Sequence, residues 1–169
     1  MKLGRVGACL AFLSSVLLIA ALPTTALAHE GDRGYRHGAF SVRLTPGEVP
    51  GGGDRGASGF ARITLDEERE LACYVLEWKN LEGLVTAAHL HVASRGENGP
   101  HAIDLFNDER FDGERNGVWN CVRVRDDRGH EGHMTAREKI RDIIANPEDF
   151  YVNIHTTRYE DGAIRGQLG

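Results

Sequence analysis

The sequence Phe-Tyr-Val-Asn-Ile-His-Thr at positions 150–156 decides the fold, because apolar and polar residues alternate along it with a period of two. In a β-strand this alternation places apolar side chains on one face and polar side chains on the other. The polar face of the predicted strand carries Tyr151, Asn153 and His155. A turn at 160–162 leads to a last predicted strand at 163–168, so the two strands should form a hairpin.

A strand predicted at 85–92 shows the same alternation and carries two histidines. His89 and His91 share one face of it, opposite Leu90 and Val92. The last strand likewise separates its polar residues from Ile164 and Leu168. We therefore expect six polar side chains to point away from the main core: His89, His91, Asn153, His155, Arg165 and Gln167.

In the rest of the chain, the sequence predicts short strands and one helix. Further strands are predicted at 40–44, 60–65, 70–78, 102–106 and 118–124, with a glycine-rich loop at 46–59. Thr135 and Glu138 have the spacing of a capping box, and Ile140, Ile143 and Ile144 follow at helical spacing before Asn146-Pro147. These features predict a mainly β protein, an antiparallel β-sandwich with one short helix at 136–145.

The N-terminal residues have the pattern of a secretory signal peptide at 1–28. Lys2 and Arg5 precede an apolar run at 8–22, and Ala26-Leu27-Ala28 supplies the small residues of a cleavage site. We expect a flexible tail at 29–39, one domain at 40–169, a secreted or periplasmic location and no membrane span after cleavage. The net charge of −5 argues against a nucleic-acid partner.

Two cysteines remain beyond residue 28, Cys73 and Cys121. An even pair in an exported protein predicts a disulfide. Because both lie in predicted strands, the bond could tie two strands across the core. Two separate buried thiols are the alternative.

The order of the segments resembles the CHRD domain family, named from chordin. The matching motifs are Ala-His-Leu-His at 88–91, Gly99-Pro100, Pro147, Tyr-Val-Asn-Ile-His-Thr at 151–156 and Gly-Ala-Ile-Arg-Gly-Gln-Leu at 162–168. The resemblance implies an extracellular β-sandwich module of immunoglobulin-like character, whose relatives in chordin accompany the binding of growth-factor ligands. We expect Gly162 to permit a turn, Gly166 to allow a close approach and Arg165 to bridge the hairpin to an acidic partner.

The histidines can also be read as a metal site. His-x-His on a strand, followed by Gly99-Pro100-His101, is similar to part of the copper–zinc superoxide dismutase pattern, although the long metal-binding loop of that family is not evident. Imidazole suits copper and zinc, so His89, His91 and His155 could share an ion, with His101 as a fourth donor. Arg165 counts against this reading, because a nearby cation disfavours a second one. We expect His29, His130 and His133 to be solvated, and His101 to lie in an exposed loop.

Two hypotheses follow. The first is a non-enzymatic module that binds a protein or extracellular surface ligand, with no catalytic residues and no cofactor. The second is an exported metalloprotein that holds copper or zinc. No nucleophile motif or phosphate-binding loop indicates an enzyme.

Overall fold

Nine β-strands and one α-helix form the part of the chain that the computed structural model describes, residues 34–114, 117–127 and 134–169. All of these residues belong to one unit, Arg33–Gly169. The predicted signal peptide, His29, His130 and His133 lie outside the described residues. In chain order the elements are β1 (His37–Leu44), β2 (Ser58–Asp66), β3 (Leu71–Lys79), β4 (Leu84–Val92), β5 (His101–Phe106), β6 (Phe111–Asp112), β7 (Gly117–Arg123), α1 (Ala136–Ala145), β8 (Phe150–Thr156) and β9 (Ile164–Gln167).

The strands form two antiparallel sheets that share one apolar core. The first sheet has the order β1-β2-β3-β7, and the second has the order β5-β4-β8-β9, with β6 paired to the start of β4. The inner faces follow the period of two, and the core joins side chains of both sheets: Tyr74, Leu76, Trp78, Leu90, Val152 and Ile154. The prediction of a mainly β sandwich with one short helix is confirmed.

Strand β1 begins earlier than predicted. Residues 37–39, which were assigned to the flexible tail, pair with residues 64–66 of β2. The tail prediction is therefore wrong for these three residues. An edge strand is extended by backbone hydrogen bonds, and these leave no apolar pattern in the sequence.

The helix has the predicted bounds, Ala136–Ala145. Thr135 is its N-cap, and the side chains of Thr135 and Glu138 form the reciprocal hydrogen bonds of a capping box. Ile140 and Ile143 are fully buried in the core. Within the described residues no helix has the length and apolar character needed to cross a membrane.

The two sheets meet along one edge, where Thr45 follows β1 and Arg165 lies in β9. The backbone of Thr45 donates to the Arg165 carbonyl at 2.8 Å, and the Arg165 backbone donates back to Thr45 at 3.1 Å. Gly166 allows this approach, because a Cβ at that position would lie 2.4 Å from the carbonyl oxygen of Arg43. The expected role of Gly166 thus corresponds to a contact between the sheets.

Cys73 and Cys121 form a disulfide. They are directly opposite each other on β3 and β7, so the bond joins neighbouring strands of one sheet. The expectation that it crosses the core is wrong. Tyr74 and Leu76 point into the core, so the odd-numbered positions of β3, including Cys73, point outward.

Replacing both cysteines by serine should lower the free energy of unfolding by about 3–4 kcal/mol, because the bond closes a long loop in the unfolded chain. Urea unfolding of wild-type protein with and without reductant, and of the double variant, measures this. The variant should not respond to reductant. Equal urea midpoints for all samples would contradict the prediction.

Candidate metal centre on the outer face of the second sheet

The outer face of the second sheet carries the six polar side chains that the periodicity predicts to point away from the core. They do point away from it, but all six are buried: His89, His91, Asn153, His155, Arg165 and Gln167. Strand β8 is therefore buried at every position. Backbone or side-chain groups of residues 93–99, Asn107 and residues 160–161 contact these side chains from outside the sheet.

His91 has one ring nitrogen with a partner and one without. Its Nδ1 lies 2.9 Å from the carbonyl oxygen of Gly99, and its Nε2 is buried with no hydrogen-bond partner. A carbonyl oxygen only accepts, so Nδ1 carries the proton and Nε2 carries a lone pair. The unpartnered lone pair of His91 is a candidate metal ligand.

His101 lies beside His91 because β5 pairs with β4. The two residues are partners in the strand register, next to an irregularity in the pairing. His101 is the first residue of β5, not a loop residue as expected, and its side chain is half exposed. Its Nδ1 donates to the Asp104 carboxylate at 2.9 Å, which leaves a lone pair on Nε2.

His89 lies between the other rings. Its ring stacks on that of His101 with centroids 3.8 Å apart, and its Nδ1 is 3.2 Å from Nε2 of His155. The Nδ1 of His155 donates to the Glu160 carbonyl at 2.7 Å, so its Nε2 must accept from His89. His89 therefore also carries its lone pair on Nε2.

The Nε2 of His89 lies 2.6 Å from the side-chain oxygen Oδ1 of Asn107. With a proton on Nδ1 of each of the two neutral rings, no hydrogen is left for this contact, so the lone pair of His89 faces an oxygen atom. The Asp104 carboxylate lies 3.7 Å from the same nitrogen. Polar groups that a cation favours thus surround it.

The structure groups three of the four predicted donors. One nitrogen each of His89, His91 and His101 lies within 4.8 Å of the others. His155 is outside this group: its Nδ1 donates to the Glu160 carbonyl, and the lone pair of its Nε2 accepts the proton of His89. It positions His89, as an outer hydrogen-bond partner positions a metal ligand. Metal binding itself stays a prediction.

Burial keeps these rings neutral. It lowers the pKa of His89 and of His91 to about 4, and the neighbouring imidazoles act in the same direction. Burial also lowers the pKa of His155. The hydrogen bonds to Asn107, Gly99 and the Glu160 carbonyl only partly oppose these shifts. At neutral pH the lone pairs of His89 and His91 are therefore available to a metal ion.

Arg165 does not face the histidines directly. Its guanidinium lies 3.3 Å from the centre of the Tyr151 ring, and this ring stacks on His91 with centroids 4.7 Å apart. Because β8 lies between β4 and β9, Tyr151 stands between the cation and the imidazole. The argument that Arg165 disfavours a metal ion is weakened accordingly.

The partners of Arg165 are carbonyl oxygens, not the expected acidic side chain. It donates to the backbone of Ser94 and Glu97 and to the side chain of Gln167. Gln167 donates to the Ala93 and Glu148 carbonyls, and Asn153 donates to that of Asp161. These residues anchor the covering loops. Gly162, at φ 128°, lies against Asn153. A Cβ on Gly162 would be 2.5 Å from the Asn153 side chain.

Sequence reasoning missed Asp104, Asn107, Tyr151 and the Gly99 carbonyl as parts of the site. Asp104 follows His101 by three residues on a strand with irregular pairing, so alternation alone does not place them together. A carbonyl oxygen in a loop leaves no residue-type signal. Tyr151 could have been found from the sequence, because it shares the polar face of the predicted strand with His155.

In metal-free protein, the free energy of unfolding should be constant above about pH 6.5 and fall as the pH is lowered toward 4. The unfolded histidines take up protons near pH 6.5, whereas folded His89 and His91 do so only near 4. Each contributes a slope of at most about 1.4 kcal/mol per pH unit. Urea unfolding in EDTA between pH 7.5 and 4 measures this pH dependence of the free energy of unfolding.

His91→Gln should make this slope shallower. His37→Gln should not, because the His37 side chain is exposed. Equal slopes for wild type and the His91 variant would contradict the assignment.

Arg165→Met should lower the free energy of unfolding by about 2–4 kcal/mol, because it removes three hydrogen bonds, two to loop carbonyls and one to the buried side chain of Gln167. Arg43→Met, on an exposed position of β1, is the matched control and should stay close to wild type. Thermal and urea unfolding test both. A fully stable Arg165 variant would show that the covering loop is held by other contacts.

The comparisons with known proteins identify a family over most of the described unit. The family model for the CHRD domain matches residues 40–168, which include both histidine strands, the helix and the C-terminal hairpin. Neither a curated protein nor a solved structure matches the chain. The match spans well over half of the sequence, and the chain therefore belongs to the CHRD domain family.

Proposed function

We propose that this CHRD module is an exported metalloprotein that holds one copper or zinc ion through Nε2 of His89, His91 and His101. The observation that carries the proposal is the buried Nε2 of His91, which has no partner and lies beside two other imidazoles. A buried polar atom without a partner costs about 1–3 kcal/mol. A bound ion would remove that cost.

The outer contacts of the three rings support the same proposal. Metal-binding histidines usually donate their second ring nitrogen to a carboxylate, a carbonyl or another acceptor. Here Nδ1 of His101 faces Asp104, Nδ1 of His91 faces Gly99, and Nδ1 of His89 faces His155. Copper and zinc both suit imidazole, so the donor set does not choose between them.

Export is the second part of the proposal. The apolar run at 8–22 and the small residues at 26–28 have the pattern of a signal peptide. The disulfide between Cys73 and Cys121 is compatible with an oxidising compartment. We propose a secreted or periplasmic location on these grounds.

A separate feature favours a ligand-binding module as a second candidate. Trp119 is 79% exposed and lies directly opposite Val75, 39% exposed, on the outer face of the first sheet. An exposed aromatic side chain on a rigid sheet suits contact with a protein or surface ligand. This face belongs to a different sheet from the histidines, so both functions are compatible.

Tag-free protein, saturated with zinc or copper and then dialysed, should retain about one ion per chain by elemental analysis. His91→Ala and His101→Ala should each lose most of it, because three-ligand binding needs every donor. His37→Ala is the control and should retain the ion. His155→Gln should weaken binding by about 10–100-fold through loss of ring positioning.

Thermal unfolding gives an independent readout. Zinc should raise the melting temperature of wild type and of the His37 variant, but not that of the His91 variant. If wild type retains no more metal than His91→Ala and shows no shift, the ligand-binding candidate is favoured instead.

A further inference from the structure

We infer that the proposed ion keeps a fourth coordination position open toward a cleft at the sandwich edge, where it takes water or a small oxyanion that pairs with Arg125. This inference rests on the proposed function and adds its ligand class. It concerns the side of the ion that the three imidazoles leave free.

Among the His, Cys, Asp and Glu side chains that the structure describes, none joins the three histidines as a fourth ligand. The group of metal-ligating side chains contains His89, His91 and His101 alone within the described ranges. His155 has both nitrogens engaged, and Asp104 accepts the proton of His101. Zinc prefers four ligands, and a site with three protein ligands completes its shell with water or a substrate.

The free side of the ion should face outward. His89 and His91 are buried on β4, whereas His101 is half exposed on β5, which is the edge strand of the second sheet. A cleft of about 780 Å³ is lined by His101, Asp104 and Asn107. The same three residues contact the His89 ring, so the cleft adjoins the metal site.

The other wall of the cleft carries three basic residues beside Asp126 and Asp127. It includes Arg123 at the end of β7, Arg125 and Lys139. Lys139 pairs with Asp127, and Arg123 lies 3.6 Å from Glu70. Arg125 makes no ion pair or hydrogen bond with any residue that the structure describes.

The chemical groups on the two walls of the cleft indicate which class of ligand would bind there. A guanidinium offers planar paired donors that match the oxygens of carboxylate, carbonate or phosphate. A copper or zinc ion accepts one such oxygen at its open position. Asp104, Asp126 and Asp127 also line the cleft, so a large polyanion would be repelled. A small oxyanion that spans the ion and Arg125 suits the arrangement.

The test replaces zinc by cobalt(II), whose visible absorption reports its ligands. The probes are acetate and inorganic phosphate, titrated separately into the cobalt-loaded full domain. Each should change the visible spectrum with saturation, and the tighter probe distinguishes a carboxylate from a phosphate ligand.

Arg125→Ala should raise the dissociation constant of the tighter probe by about tenfold without changing cobalt affinity. Arg62→Ala is the matched control, since Arg62 is an exposed arginine on β2 and does not line the cleft. It should behave as wild type.

Three outcomes would overturn parts of the proposal separately. A cobalt spectrum that neither anion changes would mean a closed shell, and the metal site would stand without the open position. An equal dissociation constant for the Arg125 variant and wild type would remove Arg125 from the site. A failure of cobalt, zinc and copper to bind at all would overturn the metal proposal and this inference together.

Discussion

The structure depends on one constraint: strand β8 is buried on both faces, yet half of its side chains are polar. The apolar half completes the core, and the polar half must find hydrogen-bond partners away from water. Loops supply them by turning backbone carbonyls inward, at Glu160 for His155 and at Asp161 for Asn153, and the Gly99 carbonyl does the same for His91 on the neighbouring strand β4. The outer face of the second sheet is thus a second, polar interior. Among the described residues, pairing on this face stays incomplete at three buried atoms: Nε2 of His91, Oδ1 of Asn153 and Nε of Arg165.

Much of this architecture could be predicted from local patterns. Alternation at 150–156 and 85–92 correctly assigned the faces of β8 and β4, because the period of a strand is a geometric property of the backbone. The helix has its predicted bounds, because capping and termination are local and Thr135, Glu138 and Pro147 are all in the sequence. The disulfide partners followed from cysteine number, but their placement within one sheet required the register of β3 and β7.

The candidate site was only partly predictable. Alternation could say that six polar residues leave the core, but not that loops would cover them. It favoured His155 as a ligand, because it could not show that the Glu160 carbonyl engages one nitrogen and His89 the other. Alternation does not predict that His101 belongs to a strand, because the pairing of β5 with β4 is irregular. The charge of Arg165 predicts an acidic partner. In the structure its partners are carbonyl oxygens and the face of the Tyr151 ring.

The anchoring of the loop over His91 by Arg165 and Gln167 has a consequence for the order of folding. Their partners Ser94, Glu97 and Ala93 lie 68–74 residues earlier in the chain. Such distant contacts form slowly, because closing the intervening loop costs conformational entropy before the contact is gained. The histidines of β4 are synthesised well before β9, and they remain accessible until that final strand docks. An ion that reaches the chain during this interval would meet open imidazoles, whereas one that arrives afterwards would enter only from the cleft beside half-exposed His101. Loading of the site would then be governed by the timing of assembly as well as by affinity.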